Sequence, residues 1–203
     1  MPAKPTVFVV DDDEDVRTSL TWLLESAGLA AEAFGSAEAF LTSDAAKRPG
    51  CIVLDLRMPV MDGGTLFEQL LADRCTLPVI FLTGHGDVPT AVRFIKQGAF
   101  DFVEKPFAEG QILEKVRQAL SRGVSLATRE RERATLRARL GRLTDREREV
   151  FDRVRRGQAN KVIAIELGIS QKTVEIHRAR MMRKLGAKNL PELIRFTDVL
   201  RED

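Results

Sequence analysis

Ile52-Val53-Leu54 is a short apolar run that ends on a carboxylate, Asp55, and is followed by the turn-forming Pro59 and Asp62-Gly63-Gly64. Such a run reads as a strand buried on both faces, the kind found inside a parallel sheet. Thr6–Val10, Pro78–Leu82 and Phe100–Glu104 read as further strands, and Leu29–Phe34 as a less apolar one nearer an edge. Stretches with apolar residues at helical spacing separate them. Examples are Val16, Leu20, Leu23 and Leu24, then Leu66, Leu70 and Leu71, and finally Ile112, Leu113, Val116 and Leu120 before a helix end at Leu120. Strands alternating with helices in this way predict an α/β fold, a doubly wound parallel sheet with helices on both faces. The alternation leaves the strand order open.

In an open parallel sheet, ligands bind just beyond the carboxyl ends of the strands. The first strand delivers Asp11 and Asp12 there, the third Asp55 and the fourth Thr83, while Lys105 follows the fifth. Carboxylates this close repel, and a cation relieves the repulsion. Oxygen-only ligands with water suit Mg²⁺ or Mn²⁺. A carboxylate, a divalent cation, a hydroxyl and an ammonium form a set suited to holding a phosphoryl group on an aspartate. Asp13, Glu14 and Asp15 read as charges favoured at a helix N-terminus. His85 reads as an exposed loop residue, since no triad partner stands at a matching spacing.

Charge divides the chain. Residues 1–121 carry 11 basic and 18 acidic side chains, a net −7, and residues 122–203 carry 21 and 12, a net +9. This asymmetry predicts two domains with different partners, the basic one suited to nucleic acid. No apolar run approaches the ~20 residues of a membrane span. The N-terminus leads straight into a strand, so no signal peptide is expected. Cys51 and Cys75 lack metal or disulfide-framework spacing, which points to a cytoplasmic, reducing location.

Residues 123–141 alternate in charge through Arg129-Glu130-Arg131-Glu132-Arg133, with only Leu126, Leu136 and Leu140 as sparse apolar positions. They read as a solvated helical linker rather than a coiled coil. From Leu143 the chain is helical and basic. Thr144 with Glu147 predicts a capping box, Asn160 and Ser170 read as caps, and Gly157, Gly168 and Gly186 as stops.

Val9-Val10-Asp11-Asp12, Leu54-Asp55-Leu56-Arg57-Met58-Pro59, Met61-Asp62-Gly63, Thr83-Gly84 and Lys105-Pro106-Phe107 together resemble the receiver domains of two-component response regulators. The resemblance implies a flavodoxin-like fold with strand order 2-1-3-4-5 over residues 1–122. It implies that a sensor histidine kinase phosphorylates Asp55. Asp12, Asp55 and the backbone carbonyl of Arg57 would hold Mg²⁺, with Asp11 in support. Thr83 and Lys105 would bind the phosphoryl oxygens, and Thr83 and Phe102 would form the switch. Many relatives have Tyr at the Phe102 position, so a hydroxyl is missing from the expected switch.

Residues 142–203 resemble the LuxR-type helix-turn-helix DNA-binding domain. The resemblance rests on Leu143–Val150, Gly157, Asn160-Lys161, Ile163-Ala164, Leu167–Ser170, Lys172-Thr173-Val174, His177 and Lys184-Leu185-Gly186. The pair of domains places the chain in the NarL/FixJ class, and the loop at residues 84–89 looks closest to the FixJ branch. On the helix Gln171–Leu185, Val174, Met181 and Leu185 share one face and should pack inward. Lys172, Ile176, Ala179 and Arg183 lie opposite, with Glu175 at their flank, a pattern that suits a major-groove recognition helix. Lys161, Lys172, Thr173 and Arg178 suit phosphate contacts. His177, beside the buried face, reads as a packing residue.

The expected function is a response regulator that dimerises on phosphorylation, binds promoter DNA and regulates transcription, with activation the commoner outcome and RNA polymerase a further partner. Val88, Val92, Ile95 and Phe100 would supply apolar dimer contacts. Arg93, Lys96, Asp101 and Glu104 would pair across a two-fold axis. The alternative is that phosphorylation relieves inhibition of the basic domain without dimerisation. A phosphate-hydrolysing enzyme is disfavoured, because Arg57 stands where such enzymes carry a second catalytic Asp. That leaves only self-phosphorylation and autodephosphorylation as chemistry.

Overall fold

A computed structural model describes residues 4–84 and 88–199, together with their side chains except those of Val88, Ala91 and residues 195–199. The first part of the chain runs β1 (Thr6–Val10), α1 (Glu14–Ser26), β2 (Ala30–Phe34), α2 (Ala37–Thr42), β3 (Gly50–Asp55), α3 (Gly63–Ala72), β4 (Val79–Thr83), α4 (Val88–Gln97), β5 (Asp101–Glu104) and α5 (Glu109–Gly141). The strands form one parallel sheet in the order β2-β1-β3-β4-β5. Strand edges fall within two residues of the expected runs, where pairing with neighbours rather than hydrophobicity sets the end.

Strand alternation divides the core into two layers. Phe8, Val10, Ile52, Leu54 and Phe81 pack with Phe40, Leu66, Phe67 and Phe94 from α2, α3 and α4. Val7, Val9, Val53, Ile80, Leu82 and Val103 pack on the other face with Leu20 and Leu24 of α1 and Ile112 and Val116 of α5. β3 is buried along its whole length, as a central parallel strand must be. Asp62 caps α3 by accepting from the Thr65 N–H at 2.7 Å. A Cβ on Gly64 would lie 2.5 Å from Cζ of Phe94, so glycine lets that ring close against α3.

The helix expected to end at Leu120 continues unbroken to Gly141. No proline interrupts it, and its alternating charges favour helix on an exposed surface. Gly123 is buried against the start of β3, where a Cβ would meet the Gly50 carbonyl oxygen at 2.2 Å.

The chain divides into two compact units between Thr128 and Arg129, inside the stretch expected as a linker. The second unit contains α6 (Asp145–Val154), α7 (Asn160–Leu167), α8 (Gln171–Leu185) and α9 (Leu190–Val199). Its core joins Leu143, Val150, Val154, Ile163, Val174, Met181, Leu185 and Leu193. The capping box of Thr144 and Glu147 opens α6. Glycines 168 and 186 close α7 and α8 with φ of +65° and +73°, which a side chain would resist. Asn160 is not a cap: Ala159 holds the N-cap position of α7 without a side-chain bond. Among the described residues no helix is long and apolar enough to cross a membrane.

Candidate functional site

β1, β3 and β4 deliver Asp11, Asp55 and Thr83 to the carboxyl edge of the sheet, and Lys105 follows β5. Asp11, Asp55 and Thr83 are all buried. Lys105 Nζ donates to Oδ2 of Asp11 at 2.7 Å and to Oδ1 of Asp55 at 2.5 Å. The other oxygens of these carboxylates are also engaged. Oδ1 of Asp11 accepts from the Asp13 N–H at 2.9 Å, and Oδ2 of Asp55 from the Arg57 N–H at 2.8 Å. The Lys105 N–H donates to the Thr83 carbonyl at 2.7 Å, tying the two strand ends together. The Lys105–Pro106 peptide is cis. Asp12 is exposed beside this cluster, and Asp13 caps α1.

Burial pushes the Asp55 carboxyl above the usual carboxylate range. Lys105 pulls the other way, and the charge on Asp11 adds to the rise. Burial also opposes the charge on Lys105, but its bonds to Asp11 and Asp55 outweigh that and raise its pKa. One ammonium between two carboxylates leaves the cluster negative. Oxygen-only donors with a shortage of positive charge fit Mg²⁺. Among the described residues no three Asp, Glu, His or Cys side chains form a metal cage. Mg²⁺ does not need one, since it takes one or two carboxylates and keeps several waters.

Phe102 is half-buried and packs against the layer that holds Phe81 and Phe94. Phe94 anchors α4, stacking on Phe81 at 4.8 Å between centroids and meeting Phe67 edge-on. On the outer side of α4, Val92, Arg93, Ile95 and Lys96 are exposed. The Arg93 guanidinium lies over the ring of its neighbour Phe94, 4.6 Å from the centroid. Phe100 is half-buried against the α5 layer, so it offers less surface to a partner than expected. Asp101, expected to pair with a second copy, is bonded to Lys115 of its own chain, because α5 runs beside β5. Glu104 is exposed. The Val88 side chain and residues 85–87, including His85, lie outside the described residues.

In the second unit, α8 buries Val174, Met181 and Leu185 and exposes Lys172, Glu175, Ile176, Ala179 and Arg183. Lys161 at the start of α7 is exposed as well. Thr173 is half-buried and shares a hydrogen bond with Ser170, the cap of α8. Arg178, expected at a phosphate, is half-buried, and its Nη1 donates to Oδ1 of Asn160 at 2.9 Å, a bond between α8 and α7. Two residues that sequence spacing did not single out for α8 are Arg139, which bonds the Leu185 carbonyl, and Glu147, which is buried and bonds Lys184. The Lys184 bond and the Thr144 N–H hold the Glu147 carboxyl below its usual range. The partners in each pair are too far apart in the chain for any local pattern to reveal them.

Residues 7–117 match the family model described as response regulator receiver domain, and residues 141–197 match that of bacterial regulatory proteins, luxR family. The chain is 47% identical over 196 residues to the transcriptional regulatory protein FixJ of Azorhizobium caulinodans, covering 97% of this chain and 93% of that protein. It is 43% identical to the transcriptional regulatory protein TdiR of Thauera aromatica, covering 94% of this chain and 84% of that one. The solved structure of the response regulator StyR superposes with a TM-score of 0.85 at 43% identity, covering 97% of this chain and 99% of that one. Full-length FixJ from B. japonicum superposes with a TM-score of 0.59 at 39% identity, covering 97% of each chain.

Proposed function

Because this chain belongs to the FixJ-like response regulators, which join a receiver domain to a LuxR-type DNA-binding domain, we propose that phosphorylation of Asp55 by a sensor histidine kinase switches its binding to promoter DNA. The observation that carries this reading is the bonding of Lys105 to both Asp11 and Asp55 at the carboxyl edge of the sheet. In the proposed reaction a carboxylate oxygen of Asp55 attacks the phosphorus of a phosphohistidine. The new P–O bond forms as the P–N bond breaks, and the imidazole leaves with the electron pair. Lys105, already within reach, transfers a hydrogen bond to a phosphoryl oxygen, and Thr83 donates its hydroxyl to another. Asp11, Asp12, Asp55 and the Arg57 carbonyl would hold Mg²⁺, which offsets the charge of the incoming group.

The phosphoryl group adds about −1.5 to −2 charge beside Thr83. Drawing Thr83 toward it opens space for Phe102 to turn inward from its half-buried place, a packing change that a local charge can bias. The affected surface is α4 and β5, where Val92 and Ile95 remain exposed. A dimer formed there brings two DNA-binding domains to adjacent half-sites, raising effective concentration. In this reading residues 1–122 are the phosphoacceptor, 123–141 the connector and 142–203 the DNA-binding part. The protein acts in the cytoplasm, and activation through RNA polymerase is the expected output. Sedimentation and DNA binding with and without beryllofluoride and Mg²⁺ test the switch. A monomer-to-dimer shift with tighter binding is expected. Tighter binding by an unchanged monomer would favour release of an internal block instead.

A further inference from the structure

The C-terminal end of α8 is held from outside the helix-turn-helix. Arg139, in the last turn of α5, donates from Nη1 to the carbonyl oxygen of Leu185 at 2.9 Å. Leu185 is the last residue of α8, so no partner within the helix can satisfy that carbonyl. The guanidinium also places positive charge at the negative end of the helix dipole. Gly186 completes the seat: its φ of +73° turns the chain away, and a Cβ there would come within 2.9 Å of Nη1 of Arg139. Lys184 is a second pin, donating to Oε2 of the buried Glu147 at 2.5 Å and to the Arg142 carbonyl at 3.1 Å.

α8 has 15 residues and is therefore about 22 Å long. With Val174 and Met181 buried along its inner face, holding its end as well constrains its tilt. Base-edge contacts demand close placement, whereas long basic side chains reach phosphates from a range of positions. We propose that Arg139 is a positioning residue for sequence readout: it holds the tilt of α8, and base discrimination depends on it more than total affinity does. This rests on α8 being the helix that reads the groove.

The test uses the full chain with beryllofluoride and Mg²⁺, a duplex selected by the wild type from random DNA, and a scrambled duplex. Dissociation constants for both duplexes across a salt series are compared for wild type, Arg139→Met, Arg139→Lys and Ile176→Ala. The ratio of the two constants cancels any inactive fraction, so a partly unfolded variant still reports. Arg139→Met is expected to lower the ratio about tenfold, the scale of one mismatched base pair. The scrambled-duplex affinity and the salt slope stay unchanged, and Arg139→Lys restores much of the ratio because its ammonium can still donate to Leu185. Equal losses on both duplexes, with the salt slope shallower by about 0.9, would make Arg139 a phosphate contact and overturn the proposal. A wild-type ratio in Arg139→Met would also overturn it. If Ile176→Ala leaves the ratio unchanged too, the assignment of α8 as the reading helix has failed, and the proposal falls with it.

Discussion

The Lys105 ammonium lies 2.5 Å from Oδ1 of Asp55, and the same nitrogen is bonded to Asp11. One cation thus serves two buried carboxylates, and burial leaves the Asp55 pKa raised despite the bond. The folded protein therefore holds the Asp55 proton to higher pH than the unfolded chain does. In metal-free buffer this contribution makes stability fall as pH rises from the ordinary carboxylate range through the raised value. Asp55→Asn has no charge to bury, so it lacks this pH-dependent loss and gains stability relative to wild type as pH rises through that range. Denaturant titrations of both proteins from about pH 3 to 8 check this. A wild type that gains stability relative to Asp55→Asn over that range would contradict it.

Lys105→Met leaves Asp11 and Asp55 facing each other unopposed. The loss is expected to be about 1–3 kcal/mol at neutral pH, reduced from the cost of a fully buried break because Lys105 is partly exposed. The Lys105 pKa is raised, so its stabilisation is present below the ordinary lysine range and disappears as pH climbs through the raised value. Melting curves with and without Mg²⁺ should show a larger Mg²⁺ gain in Lys105→Met than in wild type. A smaller gain would separate the acidic cluster from the cation.

Two glycines of α5 should respond to alanine with opposite signs. Gly110, in the first turn of α5, has nothing within 4 Å of where a Cβ would sit, so Gly110→Ala should stabilise by up to about 0.5 kcal/mol through helix propensity. Gly123→Ala would drive its methyl onto the Gly50 carbonyl at 2.2 Å and should destabilise by about 1–3 kcal/mol. Urea midpoints of the two variants decide the matter, and a stabilised Gly123→Ala would mean that α5 does not lie against β3 there.

Much of the first unit was legible because its signals are local. Apolar runs mark β1, β3 and β4, and the candidate site residues Asp11, Asp55 and Thr83 stand where those runs end. The strand order came from resemblance rather than periodicity, since alternation alone does not say which strands are neighbours. The continuity of α5 past Leu120 is not marked by any local signal, and only packing against Gly50 shows why glycine stands at 123. For Arg178 an isolated sequence shows the charge but not the bond to Asn160. Asn160 looked like a cap for the same reason. The bonds Arg139–Leu185 and Lys184–Glu147 join residues 46 and 37 positions apart, beyond any local pattern.

On the exposed face of α8, Lys172 and Ile176 should separate affinity from specificity. Lys172→Ala is expected to weaken binding to every sequence and make the salt slope shallower by about 0.9, as for one lost phosphate contact. Ile176 is 44% exposed amid basic residues, and changing it should alter base preference. Selection from random DNA with each variant checks the division, and equal shifts in preference from both would contradict it.

Intact-mass measurement after incubation with acetyl phosphate and Mg²⁺ tests whether Asp55 accepts the phosphoryl group. The wild type should gain one phosphoryl group, and Asp55→Asn, which keeps the shape of the site, should gain none. Equal labelling of Asp55→Asn would contradict this, and would place the phosphoryl group on a residue other than the one Lys105 and Thr83 surround.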